Sequence, residues 1–576
     1  MAKFDVLIRG GTVVDGTSVP RFVADVGIKD GVVAQIGGKM DAIDADQVLD
    51  ADGLIVAPGF VDLHTHYDAQ IQWDPYCTIS GWHGVTSVVL GNCGFGFAPV
   101  RIEERDRAML TMSRTEAIPF DSMKEGMIWD WVTFPEFLDT LDRIPKGVNC
   151  LSYMPLAPLM TWVMGLEAAK SRRANDGEIA EMKRLLNEAM DAGACGWSTQ
   201  RLGENSVQAD YDGTPMVTDI MSDSECLALA EVLAERDEGF IQITQFTGDL
   251  DKDLEFQSEL AAAAKRPILH NLIAVNPKNP DLHRNRMKWL EECNARGERI
   301  FGQAATIRAA FTFTLEDWNL YDSSPAWNYA TTGTRDERKA KMAAPEVREQ
   351  IIAEIDEAIK KLGQTQALGG PIEELLIQDL AHQDELEEFV GMTVGQVAEI
   401  RGYHPVHAML DLALETDLQA EFLTPMREQN DEWTAEMITS PYCIPGVSDG
   451  GAHTKFLTAG SYPTDFLMWL VRDTGQLSLE EAHYRLSYLP ARAAGFRDRG
   501  TLVEGAPADV VVYDLDALNI TPEWTGEIVY DFPGGEWRRV QRPDGYRWIL
   551  VNGEVTFEDG ESTGSTPGKL LRHGRG

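Results

Sequence analysis

The feature that most constrains this chain is its long middle stretch, residues 55–449, where short apolar or β-branched runs alternate with amphipathic helical segments. Eight such runs stand out, at 55–63, 87–93, 149–154, 194–199, 240–245, 267–272, 300–305 and 444–449. Between them, a segment such as 178–192 carries Ile179, Met182, Leu185, Leu186 and Ala189 at three-to-four spacing, which is one face of a helix. Strands that alternate with helices need crossover connections and therefore run parallel. Eight such units predict an α/β chain built as a (β/α)8 TIM barrel.

The two ends read differently. Residues 6–8, 12–14, 23–28 and 32–36 are β-rich runs separated by Gly and Asp turns, with Asp30-Gly31 as a hairpin signal. The far end repeats the pattern at 509–513, 548–551 and 555–557, with Asn552-Gly553 between the last two. One small β-domain assembled from both termini is expected. The predicted boundaries are 1–56 for its first part, 57–455 for the barrel, 456–500 for barrel-closing helices and 501–576 for its second part and tail. The connection 307–439 is far too long for a barrel loop, so its helical runs at 346–362 and 393–414 predict an inserted helical unit before the last barrel strand, placed to act as a lid. Residues 558–576, rich in Gly, Ser and charge, predict a loosely held tail.

Composition narrows the class of partner. A formal net charge of −41 opposes nucleic acid and anionic membrane. No apolar stretch reaches the roughly 20 residues that span a bilayer, and residues 1–10 lack a continuous apolar run, so the expected location is cytoplasmic. Seven cysteines, odd in number and without CxxC spacing, argue against a disulfide framework. The expected partner is a small-molecule substrate, and a homo-oligomer is compatible with these properties.

Four places carry chemistry. The run from Pro58 to Leu63 ends in His64-Thr65-His66, and residues two apart on a strand point to one side, so both imidazoles can face one ion at the catalytic end of a parallel barrel. The alternative is a pair of hydrogen-bonded histidines without metal. Cys93 follows the next strand between Asn92 and Gly94, where a thiolate suits zinc and an inert packed thiol is the alternative. His270 lies in the sixth run and reads equally as a ligand or a core histidine. Asp449 ends the eighth run, before Gly450-Gly451-Ala452-His453, where a carboxylate can touch a metal and accept a proton from water, or cap a turn. His453 reads as a loop residue near the site.

These stretches together resemble the amidohydrolase superfamily, and within it the D-aminoacylase branch of N-acyl-D-amino-acid deacylases. The likeness runs from Asp5-Val6-Leu7-Ile8-Arg9-Gly10-Gly11 through 59–68, 84–94, Gly193-Ala194-Cys195-Gly196-Trp197-Ser198-Thr199 and Ser448–His453 to Pro490-Ala491-Arg492-Ala493-Ala494-Gly495, 505–511 and 567–572. It implies a barrel with a β-sandwich made from both termini, and a zinc site of one or two ions, or another divalent metal, with a cysteine ligand. His64, His66 and Asp449 would hold one position, Cys93 and His270 the other. The implied activity is hydrolysis of an amide C–N bond by metal-activated water, with Asp449 as general base and then general acid.

The departures bear on substrate and metal count. Where the branch has a histidine ending the fifth strand, this chain has Gln245, whose neutral carbonyl oxygen is a weaker zinc ligand than imidazole. Leu272 stands where a lysine is common, and 459–465, which contains Thr464, lacks the usual arginines that clamp a substrate carboxylate. Arg201, Arg308 and Arg401 are candidate replacements. The alternative activity is hydrolysis of a cyclic amide, a carbamate or another neutral amide, and a remoter one is a metal-free binding or assembly protein of the same descent.

Overall fold

The computed structural model describes residues 2–573 apart from 205, 207, 309, 318–319, 323, 363–368, 427–428, 457–458 and 523–524. Its parallel strands come in chain order: β1 (Phe60–Asp62), β2 (Val85–Leu90), β3 (Asn149–Ser152, resuming at Met154–Pro155), β4 (Gly196–Arg201), β5 (Phe240–Gln245), β6 (Ile268–Ile273), β7 (Ile300–Ala305) and β8 (Cys443–Gly446). Each pairs in parallel with the next, β1 to β3 in one ladder and Met154–Pro155 through β8 in a second. Beyond the strand ends, a parallel bridge between Thr65 and Gly450, with His66 N donating to Gly450 O at 2.7 Å, ties the segment after β8 to the segment after β1. The sequence motifs after β1, β2 and β8 therefore meet at one end of the strands.

Side chains alternate across these strands with period two. Val61, Val89, Leu151, Phe240, Leu269 and Ile444 pack with one another on one face. Phe60, Val88, Leu90, Ile241, Ile243 and Ile268 belong to the larger core shared with the helices.

The run expected at 55–63 divides at Gly59. Residues Ile55–Pro58 pair antiparallel with Val510–Tyr513 in the terminal sheet, whereas Phe60 begins β1. A Cβ at Gly59 would lie 2.2 Å from Thr86 Oγ1, so only glycine lets the chain cross from one sheet to the other here. The terminal sheet has nine strands, with Phe4–Val13, Phe22–Lys29, Val32–Gly37, Ala45–Asp50 and Ile55–Pro58 from one end of the chain and Val510–Tyr513, Tyr546–Val551, Glu554–Glu558 and Glu561–Ser562 from the other.

The long connection has its own apolar core, including Trp327, Met342, Ile351, Val397, Met409 and Phe422. The segment expected to be structured at 393–414 forms two helices, Val394–Arg401 and Pro405–Glu415, divided where Gly402 takes φ 75° and Pro405 cannot continue the first. Ala117 and Phe456, from outside the connection, join this core, so the connection packs beside the helix α1 (Arg105–Glu116). Among the described residues no helix is long and apolar enough to cross a membrane.

The tail differs from expectation. Within its described part, which ends at 573, Pro567 and Leu570 form parallel bridges to Lys146 and Cys150. Gly568 N donates to Lys146 O at 2.7 Å, Cys150 N to Lys569 O at 2.9 Å and His573 N to Gly193 O at 3.1 Å, so the segment lies between the approaches to β3 and β4. Its polar composition hid this, because the segment docks largely by main-chain pairing, with Leu570 and Leu571 as its apolar contacts. Leu570→Ala is expected to cost about 2–3 kcal/mol, read as a lower thermal midpoint of the whole chain. A tail free in solution would leave the midpoint unchanged.

Candidate metal centre

The β1 ladder ends at Asp62, and His64, Thr65 and His66 are each pinned by hydrogen bonds. Asp62 Oδ1 accepts from His64 N at 3.1 Å, and Ser448 Oγ donates to His64 O at 3.1 Å. Thr65 Oγ1 donates to Val89 O at 2.8 Å. His64 Nδ1 lies 3.1 Å from Gln303 Oε1 on β7. An amide oxygen only accepts, so that contact puts the proton on Nδ1 and leaves the Nε2 lone pair facing inward.

Cys93 arrives on a tight turn after β2, with φ 75° at Gly91 and 57° at Cys93. Gly91 N donates to Asp68 Oδ2 at 3.1 Å, Cys93 N to Gln242 Oε1 at 2.7 Å and Gly94 N to Ser198 Oγ at 3.0 Å. A Cβ on Gly94 would lie 2.9 Å from Thr199 Cα, so this turn can sit against β4 only as glycine. The result puts Cys93 Sγ 3.4 Å from His64 Nε2. Ligating atoms of His64, His66 and Cys93 all lie within 4.8 Å of one another.

Asp449 stands three residues past the end of β8, at φ 49°, in the turn that Ser448 Oγ stabilises by accepting from Gly450 N. Its Oδ1 is 3.3 Å from His64 Nε2 and 3.7 Å from His66 Nε2. A second carboxylate, which the sequence did not single out, faces the same place. Glu116, the last residue of α1, has its oxygens 3.8 Å from His66 Nε2 and 3.3 Å from His453 Nε2.

Electrostatically the region is acidic and mostly enclosed, with the Asp449 side chain its exposed member. Burial pushes Asp68 to about 7, and burial with the Asp62 charge does the same for Asp449. Burial and the charges of Asp449 and Asp68 drive Glu116 well above the usual carboxylate range. The Cys93 thiol is likewise pushed up by burial and by Glu116 and Asp449. Burial holds the His64 imidazole at about 4 and that of His453 at about 3, so both rings are neutral bases. Neither Glu116 oxygen, both buried, accepts a hydrogen bond. Acids, a thiol and neutral imidazoles crowded together with orphaned carboxylate oxygens fit a divalent cation, which would reverse each of these upward shifts.

Two residues expected at the metal are elsewhere. On β5, Gln245 shares the face of Ile241 and Ile243, and its Nε2 donates to Asp253 Oδ1 at 2.9 Å on the helix α2 (Leu250–Ala264). On β6, His270 shares the face of Ile268. Its Nδ1 is 2.8 Å from Gln257 Oε1, its Nε2 is 3.2 Å from Arg286 on the helix α3 (Asp281–Ala295), and its ring packs on Trp289. The cause is the strand's period of two: Thr244 and Asn271, one residue away in each case, face the Cys93 side, with Thr244 Oγ1 3.3 Å from Cys93 Sγ and accepting from Asn271 Nδ2 at 2.9 Å. The apolar pattern of Ile241, Ile243 and Ile268 held that signal.

The candidate carboxylate clamps are paired off. Arg201 bonds Met221 O and Asp223, Arg308 bonds Asp465 at 2.6 Å and Arg401 bonds Glu415 at 2.9 Å. Thr464 is buried between His83 (2.7 Å) and Tyr546 (3.0 Å), and Leu272 is exposed. A cavity of about 120 Å3 opens beside Phe95, whose ring centroid is 6.3 Å from that of His66. Val100, Met112, Ala157, Leu166 and Val217 line it, and its one arginine, Arg107, is bound to Asp210.

Known proteins share this plan. The chain is 29% identical to an uncharacterized protein of Mycobacterium tuberculosis over 594 aligned positions, covering 97% of this chain and 93% of the relative. It is 27% identical to the N-acyl-D-glutamate deacylase of Alcaligenes xylosoxydans xylosoxydans, covering 99% and 97%. The crystal structure of the N-acyl-D-glutamate deacylase of Bordetella bronchiseptica superposes with a TM-score of 0.66 at 23% identity, covering 99% of this chain and 100% of that one, a likeness of fold. The sequence profile of the amidohydrolase family matches residues 47–557. The chain belongs to the amidohydrolase family, and with it to the hydrolases of carbon–nitrogen bonds other than peptide bonds.

Proposed function

We propose that this chain is a metal-dependent amide hydrolase resembling the N-acyl-D-amino-acid deacylases, with His64, His66, Cys93 and Asp449 as its metal-facing residues. The observation that carries this reading is the convergence of those four side chains from β1, β2 and β8 in a buried acidic setting. We place it on a (β/α)8 barrel over about residues 57–455, with a β-sandwich from 1–56 and 501–576 and the helical insertion 307–439. The deacylase of Bordetella bronchiseptica, whose structure contains zinc, supports the same metal class here. A divalent ion bound at this place supplies Lewis acidity and makes water acidic enough to ionise near neutral pH.

The chain's own residues do the rest. Asp449 takes the proton of the attacking water and returns it to the leaving nitrogen, which its position beside His64 and His66 permits. Gln303 holds His64 in the tautomer that turns Nε2 inward, and Gln242 and Asp68 hold the Cys93 turn. The cavity beside Phe95 accepts an apolar portion of the substrate, since most of its lining is apolar and Arg107 is neutralised by Asp210.

One observation favours the second reading, a cyclic amide, carbamate or other neutral amide. Arg308 and Arg401 are held by carboxylates, and Arg201 spends Nη2 on Asp223 and Met221 O while stacking on Phe256, which weighs against a substrate carboxylate at these three. Assay of N-acyl-D-amino acids against the same amides without the carboxylate separates the two, and we expect the neutral amides to have the higher kcat/KM. A preference of tenfold or more for the free acids would return the reading to the deacylases proper.

Three variants test the site. Asp449→Asn should bind substrate yet lose at least 1,000-fold in kcat, about 4 kcal/mol of transition-state stabilisation, and near-normal turnover would remove its assigned role. Cys93→Ala should lower the divalent metal retained after dialysis, whereas Gln245→Ala should leave it unchanged. The reverse pattern would move the metal toward α2, and absence of metal in the unaltered chain would favour a binding protein.

A further inference from the structure

The side chain least at ease in this molecule is Glu116. It is fully buried, and both its oxygens lack a hydrogen bond. A carboxylate in that condition is strongly disfavoured unless a cation stands beside it. No motif marks it: it ends α1, in the connection after β2, far in sequence from His64-Thr65-His66 and from Asp449. Yet it points at the same centre, its oxygens against His66 and His453, while β5 and β6 present to that centre only Thr244 and Asn271, which carry no ionisable group.

The distances decide what it is doing there. Two ligand atoms that each sit about 2.0–2.3 Å from one ion at a tetrahedral angle are about 3.3–3.8 Å apart. His64 Nε2 to Asp449 Oδ1 is 3.3 Å, Cys93 Sγ to His64 Nε2 is 3.4 Å and His66 Nε2 to Asp449 Oδ1 is 3.7 Å. Glu116 Oε1 lies 3.8 Å from His66 Nε2, at the upper end of that range and beside the trio of His64, His66 and Cys93. His453 Nε2 stands behind the carboxylates, 3.3 Å from Glu116 Oε2 and 4.0 Å from Asp449 Oδ2.

The helix end is built to hold this residue still. His453 N donates to Glu116 O at 2.5 Å and Thr454 Oγ1 to Ala117 O at 3.2 Å, so the loop after β8 caps the last turn of α1. Arg114, one half-turn earlier, is bound to Asp322 and to Thr331 O (3.0 Å) of the insertion. The C-terminal end of a helix also carries partial negative charge, which favours a cation in front of it.

Resting on the metal-dependent reading above, we propose that Glu116 is a ligand of the divalent-metal centre, supplied by α1 in place of the fifth- and sixth-strand ligands, with His453 as its positioning residue. The centre then takes a borderline cation such as zinc through imidazole, thiolate and two carboxylates. The insertion, through Arg114, becomes part of the metal site's support.

The test uses the full chain with Co2+ as probe, its affinity measured by competition with a chelator and its ligand field by visible absorption. Glu116→Gln is expected to lose about 100-fold or more in affinity and to change the Co2+ spectrum. His453→Gln is expected to lose about 10-fold, in the range of a residue that orients a ligand. Glu116→Asp, which keeps a carboxylate, should recover part of the loss. The metal-free thermal midpoint of Glu116→Gln should be no lower than that of the unaltered chain, because an orphaned buried acid has been removed, so lost affinity is separable from lost fold. Glu116→Gln with affinity within threefold and an unchanged spectrum overturns this inference and leaves the hydrolase reading intact. An unaltered chain that binds no Co2+ overturns both.

Discussion

The structure depends on a cluster of acids largely withdrawn from water, with Glu116 and Cys93 buried and the Asp449 side chain 23% exposed. Asp449 and Glu116 face His64, His66 and His453, and the Cys93 thiol adds a third acidic group to the same small volume. Burial and neighbouring acids raise Asp449 to about 7 and Glu116 and Cys93 well above their usual values, which favours the protonated forms when no cation is present. With one, the same burial becomes an advantage, since low dielectric strengthens every cation–ligand contact. Much of the surrounding architecture is a means of holding that arrangement: the bridge of Thr65 to Gly450, the Asp68-held turn at Gly91 and the Gln303 contact behind His64.

The elements that the sequence exposed are those governed by local rules. A strand ending in His64-Thr65-His66, a glycine-flanked Cys93 and Asp449 before Gly450-Gly451 each carry their chemistry within a few residues, and the structure brings them together at one end of the parallel strands. What local rules could not supply was face and partner. Gln245 and His270 are one residue out of phase with the centre, a difference that a period-two strand turns into opposite sides. The pattern of Ile241, Ile243 and Ile268 carried that phase, but it had less weight than the residue types themselves. Glu116 carried no signal at all, because an acidic residue at the end of an amphipathic helix is ordinary until the loop at His453 closes against it. The tail was misjudged for a related reason, since its docking rests on main-chain pairing with Lys146 and Cys150.

The insertion links substrate to metal in this account. It packs on Ala117 and Phe456 and grips Arg114, so it touches both the helix that delivers Glu116 and the loop that delivers His453. The same helix lines the apolar cavity through Met112 and Arg107. A change in how the insertion sits would thus reach the acids and the cavity together. The carboxylate partners of Arg201, Arg308 and Arg401 agree with this design, in which recognition is by shape and apolar contact and the strong electrostatics are reserved for the centre.

The most direct measurement is an anomalous difference map from crystals of the full chain grown with zinc, recorded at the zinc absorption edge. The account predicts a strong peak about 2.0–2.3 Å from His64 Nε2, His66 Nε2, Cys93 Sγ and an Asp449 oxygen. A peak beside His270 and Gln257, or none within reach of His64 and His66 in crystals that hold zinc elsewhere, would contradict it.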